Sequence, residues 1–431
     1  MENLTAYVFR VLPLMVITLV LGTQVSSVSA KTCVVSASGS NTTDDAPAIV
    51  EAFEECGQGG TIVFSNTTYY VNSVMNINGI EDALVDIQGT LLWSTDISYW
   101  LNNSLPVGYQ NQSTAFILSG NNVTINGGGV GTLNGNGQSW YTFIGEQSDT
   151  SNYPGRPHAI TLSGLNNSQI TGVNFLQSQM WTMSIIYSHN VTLDSIYVNN
   201  LVESGSASNT DGADTIRSSN ITFDNWTVYN GDDSIALKGN STDITIRNSQ
   251  FYDGLGIAIG SIGQYDGVYE VIQGLTVDNI TYSDTLHAFY FKTWTGTQVG
   301  YPPNGGGGGI ADVSNMNVTS LYASSLRGAA VAISQCTTFS GGGTPANCTN
   351  SEVQIHDITV QGLSGTSESD DVASLQCSAV KPCYDIAIED ITLTLAGGTE
   401  ATEYLCSEVE SNTGFNCTGS ACVGSSATGE C

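Results

Sequence analysis

The chain has very few positive charges. Nine of its 431 residues are lysine or arginine, against 39 aspartates and glutamates, and the formal net charge is −30. Nucleic acids and anionic membrane surfaces repel a protein with this balance, because both carry dense negative charge. We therefore expect no nucleic-acid partner and no membrane partner.

Long apolar runs are also missing beyond the N-terminus. The run at residues 11–21 is too short for a comfortable membrane span, and no second one follows. It comes after Arg10 and before the small residues Val28 and Ala30, which is the pattern of a secretory signal. The sequence therefore predicts a signal peptide over residues 1–30 and a secreted, soluble protein over residues 31–431.

The cysteines agree with secretion. There are ten, all after the predicted signal, and an even number in a secreted chain predicts disulfides. No Cys-x-x-Cys pair or cysteine–histidine cluster indicates zinc, and we predict neither metal nor cofactor. Nearest neighbours suggest the pairs Cys33–Cys56, Cys336–Cys348, Cys377–Cys383, Cys406–Cys417 and Cys422–Cys431. The last two pairs would make residues 406–431 a disulfide-rich C-terminal cap.

Glycosylation sequons are abundant, and we expect a fraction of them to carry glycan, since asparagine and threonine also suit turns and strand starts. The candidates are Asn41, Asn66, Asn122, Asn190, Asn220, Asn225, Asn240, Asn279 and Asn317.

Helical signals are scarce. The one clear signal after residue 30 precedes Cys56: Asp45 is a candidate N-cap, Pro47 lies in the first turn, and Ile49 and Phe53 share a face. We expect a short helix there, ending near Cys56. Such a helix would cap one end of a solenoid.

A weak repeat of short alternating segments begins at about Asn121. Examples lie at residues 122–125, 190–193, 220–223 and 243–246. Intervals of about 20 to 30 residues are too long for hairpins but suit coils of three short strands. We predict an all-β protein, a right-handed single-stranded parallel β-helix. A β-sandwich would show hairpin turn signals every 8 to 12 residues or so, and these are sparse.

Three aspartates stand out against this repeat. They lie in SNTDG at residues 208–212 and GDDS at residues 231–234, so Asp232 follows Asp211 by 21 residues, about one coil. Asp211, Asp232 and Asp233 could therefore gather on adjacent rungs about 4.8 Å apart. Crowded carboxyls keep one member protonated while another is ionised, which suits hydrolysis of a glycosidic bond. The alternative is that each aspartate only shapes its turn.

These motifs resemble those of glycoside hydrolase family 28, the polygalacturonase family, over about residues 209–292. The resemblance implies the pectin-lyase-like β-helix as a single catalytic domain. It also implies that Asp232 is the general acid and that Asp211 and Asp233 activate water in an inverting mechanism. Asn209 would contact or orient the substrate. Spacing alone leaves inversion and retention open.

The resemblance continues in GLGIAIGSIGQY at residues 254–265, which is similar to the family's Gly-His-Gly-x-Ser-Ile-Gly-Ser segment. Its Gly-Gln-Tyr ending is like that of the exo-acting branch. Leu255 stands where the family usually has histidine, and Gly256 follows it. Both positions are implied to bind substrate.

A third stretch, YFK at residues 290–292, occupies the place of the family's usual Arg-Ile-Lys. The resemblance implies substrate-binding roles for Tyr290 and Lys292. Arginine is the natural bidentate clamp for a uronate carboxylate, so its loss weakens recognition of galacturonate. A deoxy sugar such as rhamnose would suit these positions at least as well.

We therefore expect a secreted, monomeric, exo-acting and inverting glycoside hydrolase that acts on pectic polysaccharide or oligosaccharide. The few cations favour recognition of a chain end. Terminal galacturonate is the first expectation, as in a galacturan 1,4-α-galacturonidase or exopolygalacturonase. An α-L-rhamnosidase acting on rhamnose-bearing pectin ends is the alternative.

Two remoter alternatives share the fold. A polysaccharide lyase would need a strong base near calcium, and nothing in the sequence places Arg217 or Arg247 beside an acidic cluster. A non-catalytic carbohydrate-binding β-helix would leave the paired aspartate motifs unexplained. Asn304 and the five glycines after it form either a loop over the cleft or a plain linker.

Overall fold

The computed structural model describes residues 1–2 and 30–429. Residues 3–29 of the predicted signal peptide and Cys431 lie outside these residues, so the division into a signal and one catalytic domain stays a prediction. Among the residues described, no helix is both long and apolar enough to cross a membrane.

Parallel strands stack into the three faces of a right-handed β-helix, which confirms the predicted fold class. The first face contains β1 (Thr32–Val34), β2 (Thr61–Phe64), β5 (Leu84–Ile87), β10 (Thr124–Asn126), β13 (Ile160–Thr171), β16 (His189–Asp194), β19 (Ser219–Asp224), β22 (Ser241–Tyr252), β24 (Tyr269–Ser283), β26 (Ile310–Leu326), β28 (Glu352–Ser367), β30 (Cys383–Glu389) and β33 (Val409–Thr413).

Long strands of the first face bend into the second, where β22, β24, β26 and β28 continue the stack. The other strands of the second face are β3 (Thr68–Val71), β6 (Thr90–Trp93), β11 (Thr132–Asn134), β14 (Asn174–Leu176), β17 (Tyr197–Asn199), β20 (Thr227–Tyr229) and β31 (Thr392–Thr394).

The third face carries the site described below, and the start of β13 belongs to it. Its other strands are β4 (Met75–Glu81), β9 (Phe116–Asn121), β15 (Met183–Ile186), β18 (Ala213–Ile216), β21 (Asp233–Leu237), β23 (Gly256–Ile262), β25 (Phe289–Thr293), β27 (Val331–Ser334), β29 (Asp371–Gln376) and β32 (Glu403–Ser407). A separate small sheet joins β7 (Leu105–Pro106), β8 (Ser113–Thr114) and β12 (Pro157–His158).

Aliphatic and aromatic side chains stack in register inside the solenoid. One such row on the first face is Ile170, Leu193, Phe223, Ile246, Val277, Val318, Val360 and Ile388. All of them are buried. A one-residue slip would turn the whole row toward water, so the apolar row fixes the register of successive coils.

Polar side chains stack in the same way on the outside. Asn220 donates to Asn190, Asn190 to Asn167 and Asn167 to Asn121, over 3.0, 2.9 and 2.8 Å. We refer to these four residues as the asparagine ladder. Asn167, Asn190 and Asn220 have φ of 48°, 56° and 54°, a left-handed conformation that asparagine tolerates better than most residues.

The predicted helix is present as α1 (Ala46–Cys56) and packs on the first coils. Asp45 precedes it, but its carboxylate does not cap the helix; it accepts from the Ser38 and Tyr70 amides instead. Two further short helices were not predicted, α2 (Ile97–Asn103) and α3 (Gly137–Gly145). Both lie in connections between strands, where the repeat gives no signal.

Four predicted disulfides are confirmed: Cys33–Cys56, Cys336–Cys348, Cys377–Cys383 and Cys406–Cys417. The fifth, Cys422–Cys431, involves a residue outside the described part of the chain. The asparagines of all nine candidate sequons are exposed, as glycosylation requires.

The chain after the last coil does not simply close the end of the solenoid. Thr418 donates to the Tyr404 carbonyl over 2.8 Å, and Ser426 forms a parallel bridge with Thr337. The segment therefore runs back along the solenoid and reaches coils that lie well before its end.

Candidate active site

A row of outward-facing residues crosses the third face and forms the floor of the site. Asp214 on β18 is in register with Ala236 on β21, then Ala258 on β23, Tyr290 on β25 and Ala332 on β27. The alanines beside Tyr290 leave room for its phenol to extend across neighbouring strands. A bulky residue at Ala236 or Ala258 would occupy that space.

The three predicted aspartates do come together. Asp211 lies in the turn before β18, Asp232 directly precedes β21, and Asp233 is the first residue of β21. One carboxylate oxygen from each lies within 4.8 Å of the others. Asp211 and Asp233 are buried and Asp232 is half-buried. We refer to these three residues as the carboxylate cluster.

Asp233 has the surroundings of an ionised carboxylate. Lys292 Nζ lies 2.9 Å from its Oδ2 and 3.2 Å from its Oδ1, Lys238 Nζ lies 3.8 Å from Oδ2, and the Tyr290 hydroxyl donates to Oδ1. Burial opposes its ionisation, but the two ammonium groups and the hydrogen bonds outweigh burial and lower the pKa of Asp233. Asp233 is therefore the member suited to accept a proton.

Asp232 has the surroundings of an acid. Its oxygens accept from the amides of Asn209, over 2.8 Å, and of Asp233, over 2.9 Å. Burial and the charge of Asp233 raise its pKa, and Lys292 and the amide hydrogen bonds only partly oppose them. Asp232 is suited to hold a proton that a substrate oxygen can take.

Asp211 also favours its protonated form. Burial, followed by the neighbouring carboxyls of Asp232, Asp214 and Asp233, raises its pKa well above the ordinary value. Lys238 acts in the opposite direction. Of the two residues expected to activate water, Asp233 is thus the one that its surroundings keep ionised.

Lys238 and Asp214 extend the site and were not recognised in the sequence. Lys238 Nζ lies 3.1 Å from Asp214 Oδ1, donates to the Gly260 carbonyl over 2.8 Å, and sits 5.0 Å from the centre of the Trp181 ring. The sequence held a weak signal for Lys238, because side chains alternate along a strand and Lys238 falls on the same face as Ala236. The pairing with Asp214 depends on the register between coils.

Arg156 was also missed. It is fully buried; its Nε donates to the Gln179 carbonyl over 2.6 Å and its Nη1 to the Ser208 carbonyl over 2.8 Å. Burial lowers the pKa of Arg156 to about 10, while Tyr141, Asp211 and Asp232 raise it. Its partners are backbone oxygens, which carry no sequence signal.

The predicted substrate-binding residues are placed differently from one another. Tyr290 and Lys292 both donate hydrogen bonds to Asp233, as described above. Leu255 and Asn209 line the pocket over the carboxylate cluster. Asn209 Oδ1 accepts from the Asn152 amide over 2.6 Å. Gly256 does not line the pocket; its φ is 98° and a Cβ there would lie 2.2 Å from the His287 carbonyl oxygen.

Gln264, in the stretch similar to the exo-acting branch, ties together two segments beside the pocket. It accepts from Gln110 Nε2, and its own Nε2 donates to the carbonyls of Pro303 and Gly305 over 2.8 and 3.2 Å. Tyr265 adds a hydrogen bond from the Gln110 amide to its hydroxyl over 3.0 Å. The Gln and Tyr of the Gly-Gln-Tyr ending thus hold neighbouring segments beside the pocket.

Asn304 anchors the glycine-rich segment to residues 149–152, and Ser151 and Asn152 of that stretch line the pocket. Its Oδ1 accepts from Asn152 Nδ2 over 3.0 Å, and its Nδ2 donates to Asp149 Oδ2 over 3.2 Å and to the Ser151 carbonyl over 2.9 Å. Because Asn152 also contacts Asn209, a chain of amides joins this segment to the residue whose backbone amide donates to Asp232. We refer to Asn152, Asn209 and Asn304 as the amide bridge.

The pocket is lined by segments from distant parts of the chain. Its lining consists of Gln110, Ser151, Asn152, Trp181, Ser208, Asn209, the carboxylate cluster, Lys238, Leu255, Ser261, Lys292, Phe339, Ser340, Ala427 and Thr428. A protonated carboxyl, an ionised carboxylate and a walled pocket above both are the requirements of a glycoside hydrolase.

Comparisons with known proteins agree with this class. The family model described as glycosyl hydrolases family 28 matches residues 71–418. The chain is 60% identical to the alpha-L-rhamnosidase rgxB of Aspergillus niger over 401 residues, 93% of this chain and 92% of that protein. It is 32% identical to the exopolygalacturonase of Cochliobolus carbonum over 395 residues, 90% of this chain and 86% of that protein.

Among solved structures, the endo-xylogalacturonan hydrolase from Aspergillus tubingensis superposes with a TM-score of 0.76 at 27% identity. The match covers 91% of this chain and 100% of that one. The chain therefore belongs to glycosyl hydrolase family 28, as its motifs indicated. The matched span includes the carboxylate cluster, Leu255, Tyr290 and Lys292.

Proposed function

We propose that the protein is a secreted, exo-acting and inverting α-L-rhamnosidase that removes terminal rhamnose from pectic chains. The observation that carries this choice of sugar is the state of the two lysines in the pocket. Within residues 1–2 and 30–429, Lys238 and Lys292 are the only cations in the lining, and both are paired with Asp214 or Asp233. A uronate carboxylate would have to compete with buried aspartates for them.

The wall beside the carboxylate cluster is apolar where a uronate-binding site would need donors. Leu255 lines the pocket and packs on a buried cluster of Ala236, Ala258, Tyr290, Ala329 and Ala332. Rhamnose carries a methyl group where galacturonate carries a carboxylate. Burying that methyl against leucine is favourable, by about 0.8 kcal/mol for a group of this size, whereas burying an unpaired carboxylate is costly.

The relatives support the same sugar. The rhamnosidase shares 60% identity with this chain and the exopolygalacturonase 32%. The first expectation from sequence, terminal galacturonate, therefore gives way to the rhamnosidase alternative.

The exo mode is supported by the walls of the pocket. Gln110 and Asn152, which Gln264 and Asn304 hold in place, form one wall of the pocket, and Ala427 and Thr428 form another. A pocket with such walls accepts the end of a chain rather than its middle. The scarcity of cations along the chain agrees, because a long polyanion would find few partners.

In the proposed reaction, Asp232 protonates the glycosidic oxygen while the bond to the anomeric carbon breaks. Asp233 accepts a proton from the attacking water, and Asp211, which lines the pocket beside it, holds that water with it. Oxygens within 4.8 Å do not select inversion over retention, so the stereochemistry in this proposal rests on the family resemblance.

The deciding experiment is identification of the monosaccharide released. Purified enzyme is incubated with rhamnogalacturonan oligosaccharides that end in rhamnose and, separately, with oligogalacturonates. We expect free rhamnose from the first and no galacturonic acid from the second, with the β-anomer of rhamnose first in the proton NMR spectrum. Release of galacturonic acid alone would overturn the sugar assignment, and an α-anomer first would overturn inversion.

Asp232→Asn supplies the catalytic control. The amide cannot donate a proton, so kcat should fall by at least about 10³-fold while the thermal midpoint stays near that of the wild type. Asp253→Asn is the matched control, because Asp253 lies outside the pocket lining and should retain activity. Near-normal turnover by the Asp232 variant would refute its role as the acid.

The lyase alternative has little support. Arg247 pairs with Asp224 at the surface, Arg217 stacks on the exposed Tyr187, and neither lines the pocket. The carboxylate cluster already has Lys238 and Lys292 as its positive partners. We expect full activity in chelator and no unsaturated product.

Secretion after removal of residues 1–30 and a monomeric state are part of the proposal. The disulfides are typical of an oxidising compartment.

A further inference from the structure

The last described segment of the chain reaches the active site from far along the sequence. Ser426 donates to the Cys336 carbonyl over 3.0 Å and accepts from the Thr338 amide over 3.1 Å. Ala427 and Thr428 then line the pocket over the carboxylate cluster. We refer to residues 426–429 as the C-terminal wall.

Buried His287 holds this wall in place. Its Nε2 lies 2.7 Å from the Thr428 carbonyl oxygen and its Nδ1 lies 2.6 Å from that of Ala329. Its ring centre is 4.7 Å from that of Tyr290, whose hydroxyl donates to Asp233. The same histidine thus contacts the C-terminal wall and the tyrosine that holds the base.

Gly429 shows how closely the wall approaches the site. Its φ is 91°, and a Cβ there would lie 2.7 Å from Tyr290 Cδ2. Any side chain would therefore collide with the ring and would also be strained by the backbone conformation. The wall can lie against Tyr290 because this residue is glycine.

We propose that the C-terminal wall is a substrate-recognition segment of this enzyme. Ala427 and Thr428 contact the bound sugar, and His287 is the residue that positions them. The identity of that sugar rests on the proposed function. The methyl groups of both residues suit a neutral deoxy sugar, and the wall limits the bulk that the pocket accepts.

Two phenylalanine substitutions, one inside the C-terminal wall and one just before it, test the proposal. Ala427→Phe places a ring in the pocket and should raise KM for terminal-rhamnose oligosaccharides about tenfold or more, with kcat within about twofold. Val423→Phe is the matched control, because Val423 is 86% exposed and outside the lining, and KM should stay within about twofold. Equal KM values for both variants would overturn the proposal, whether both are raised or both unchanged.

A glycine pair covers the case in which Ala427→Phe does not fold. Gly429→Ala should displace the wall and raise KM. Gly398→Ala has a similar φ of 79° but would meet nothing within 4 Å, so it matches the backbone strain without the collision. If Gly429→Ala binds substrate as the wild type does, the wall does not contact the sugar.

The wild-type product separates this inference from the proposed function. If the wild type releases galacturonic acid rather than rhamnose, the sugar assignment fails, and the same variants are then compared on oligogalacturonates. The wall proposal is tested by the ratio of variant to wild-type KM, measured on whichever glycoside the wild type cleaves.

Discussion

At the scale of single residues, the site depends on how charge is distributed around Asp233. Lys292 and Lys238 both lie near Asp233, Lys238 also pairs with Asp214, and the pKa values of Asp211 and Asp232 are raised. Activity should therefore be lost at low pH as Asp233 gains a proton and at high pH as Asp232 loses one. The first limb lies below the ordinary range of aspartate and the second above it, because the pKa of Asp233 is lowered and that of Asp232 raised.

Lys292→Met tests this distribution. Removing the nearer ammonium raises the pKa of Asp233, so the acidic limb of kcat/KM should move to higher pH by about one unit or more. The limb is read from initial rates between about pH 2 and pH 7. Lys31→Met serves as the control, because Lys31 pairs with exposed Glu55 at 2.8 Å, lies outside the pocket lining and should leave the limb unchanged. An unmoved limb in the Lys292 variant would mean that Lys292 does not set the ionisation of the base.

Arg156→Gln tests the buried arginine. The change removes donors to the Gln179 and Ser208 carbonyls, and Ser208 adjoins Asn209, whose amide donates to Asp232. We expect kcat/KM to fall about tenfold or more and the alkaline limb to move to higher pH, because a positive charge near Asp232 is lost. Arg247→Gln, at a surface ion pair with Asp224, should change neither. An Arg156 variant with a wild-type pH profile would reduce Arg156 to a packing role.

Residue identities could be predicted only where a short motif carried them. Asp211, Asp232 and Asp233 sit in turns one coil apart, so the repeat alone brings them together. Tyr290 and Lys292 meet Asp233 from 57 and 59 residues away, across coils with irregular turns whose lengths no periodicity fixes. Their resemblance to a substrate-binding stretch was visible, but their contact with Asp233 was not.

At the scale of elements, the asparagine ladder joins one coil to the next outside the backbone hydrogen bonds. Asn167→Ala removes the hydrogen bond to Asn121 and the hydrogen bond from Asn190. It also places alanine at a φ of 48°, a left-handed conformation that alanine tolerates less well than asparagine. The free energy of unfolding should fall by about 1–2 kcal/mol, seen as a lower thermal midpoint. Asn167→Gly, which relieves the backbone strain, should cost less. Equal midpoints for wild type and both variants would show that the ladder adds nothing.

Strands could be predicted where apolar and polar side chains alternate along the sequence. The rows of the first face show alternation in the sequence, and that predicted a β-helix. The third face shows this alternation less clearly. Its outward-facing residues, such as Asp214 and Tyr290, are buried under the walls of the site, so they are as far from water as the core residues between them. Helices α2 and α3 are short and occupy turns. The repeat was recognised from about Asn121, although strands already stack from Thr32.

At the scale of the whole molecule, the net charge of −30 should act on every acidic substrate. Rhamnogalacturonan chains carry galacturonate beyond their terminal rhamnose, so the protein repels them at low salt. We expect KM for these chains to fall as salt rises from about 10 to about 200 mM, where the Debye length shortens to under about 10 Å. KM for the neutral 4-nitrophenyl α-L-rhamnopyranoside should stay within about twofold, and a parallel change for both substrates would contradict an electrostatic origin.

The amide bridge has a consequence for the order of events in folding. Each coil pairs with the next one along the chain, so the sheet can grow from local encounters. Asn152 and Asn304 stand 152 residues apart and meet only when the coils between them are already stacked. The amide bridge should thus form after the coils between its ends, and we expect a refolding chain to regain its strand signal before it regains its catalytic rate.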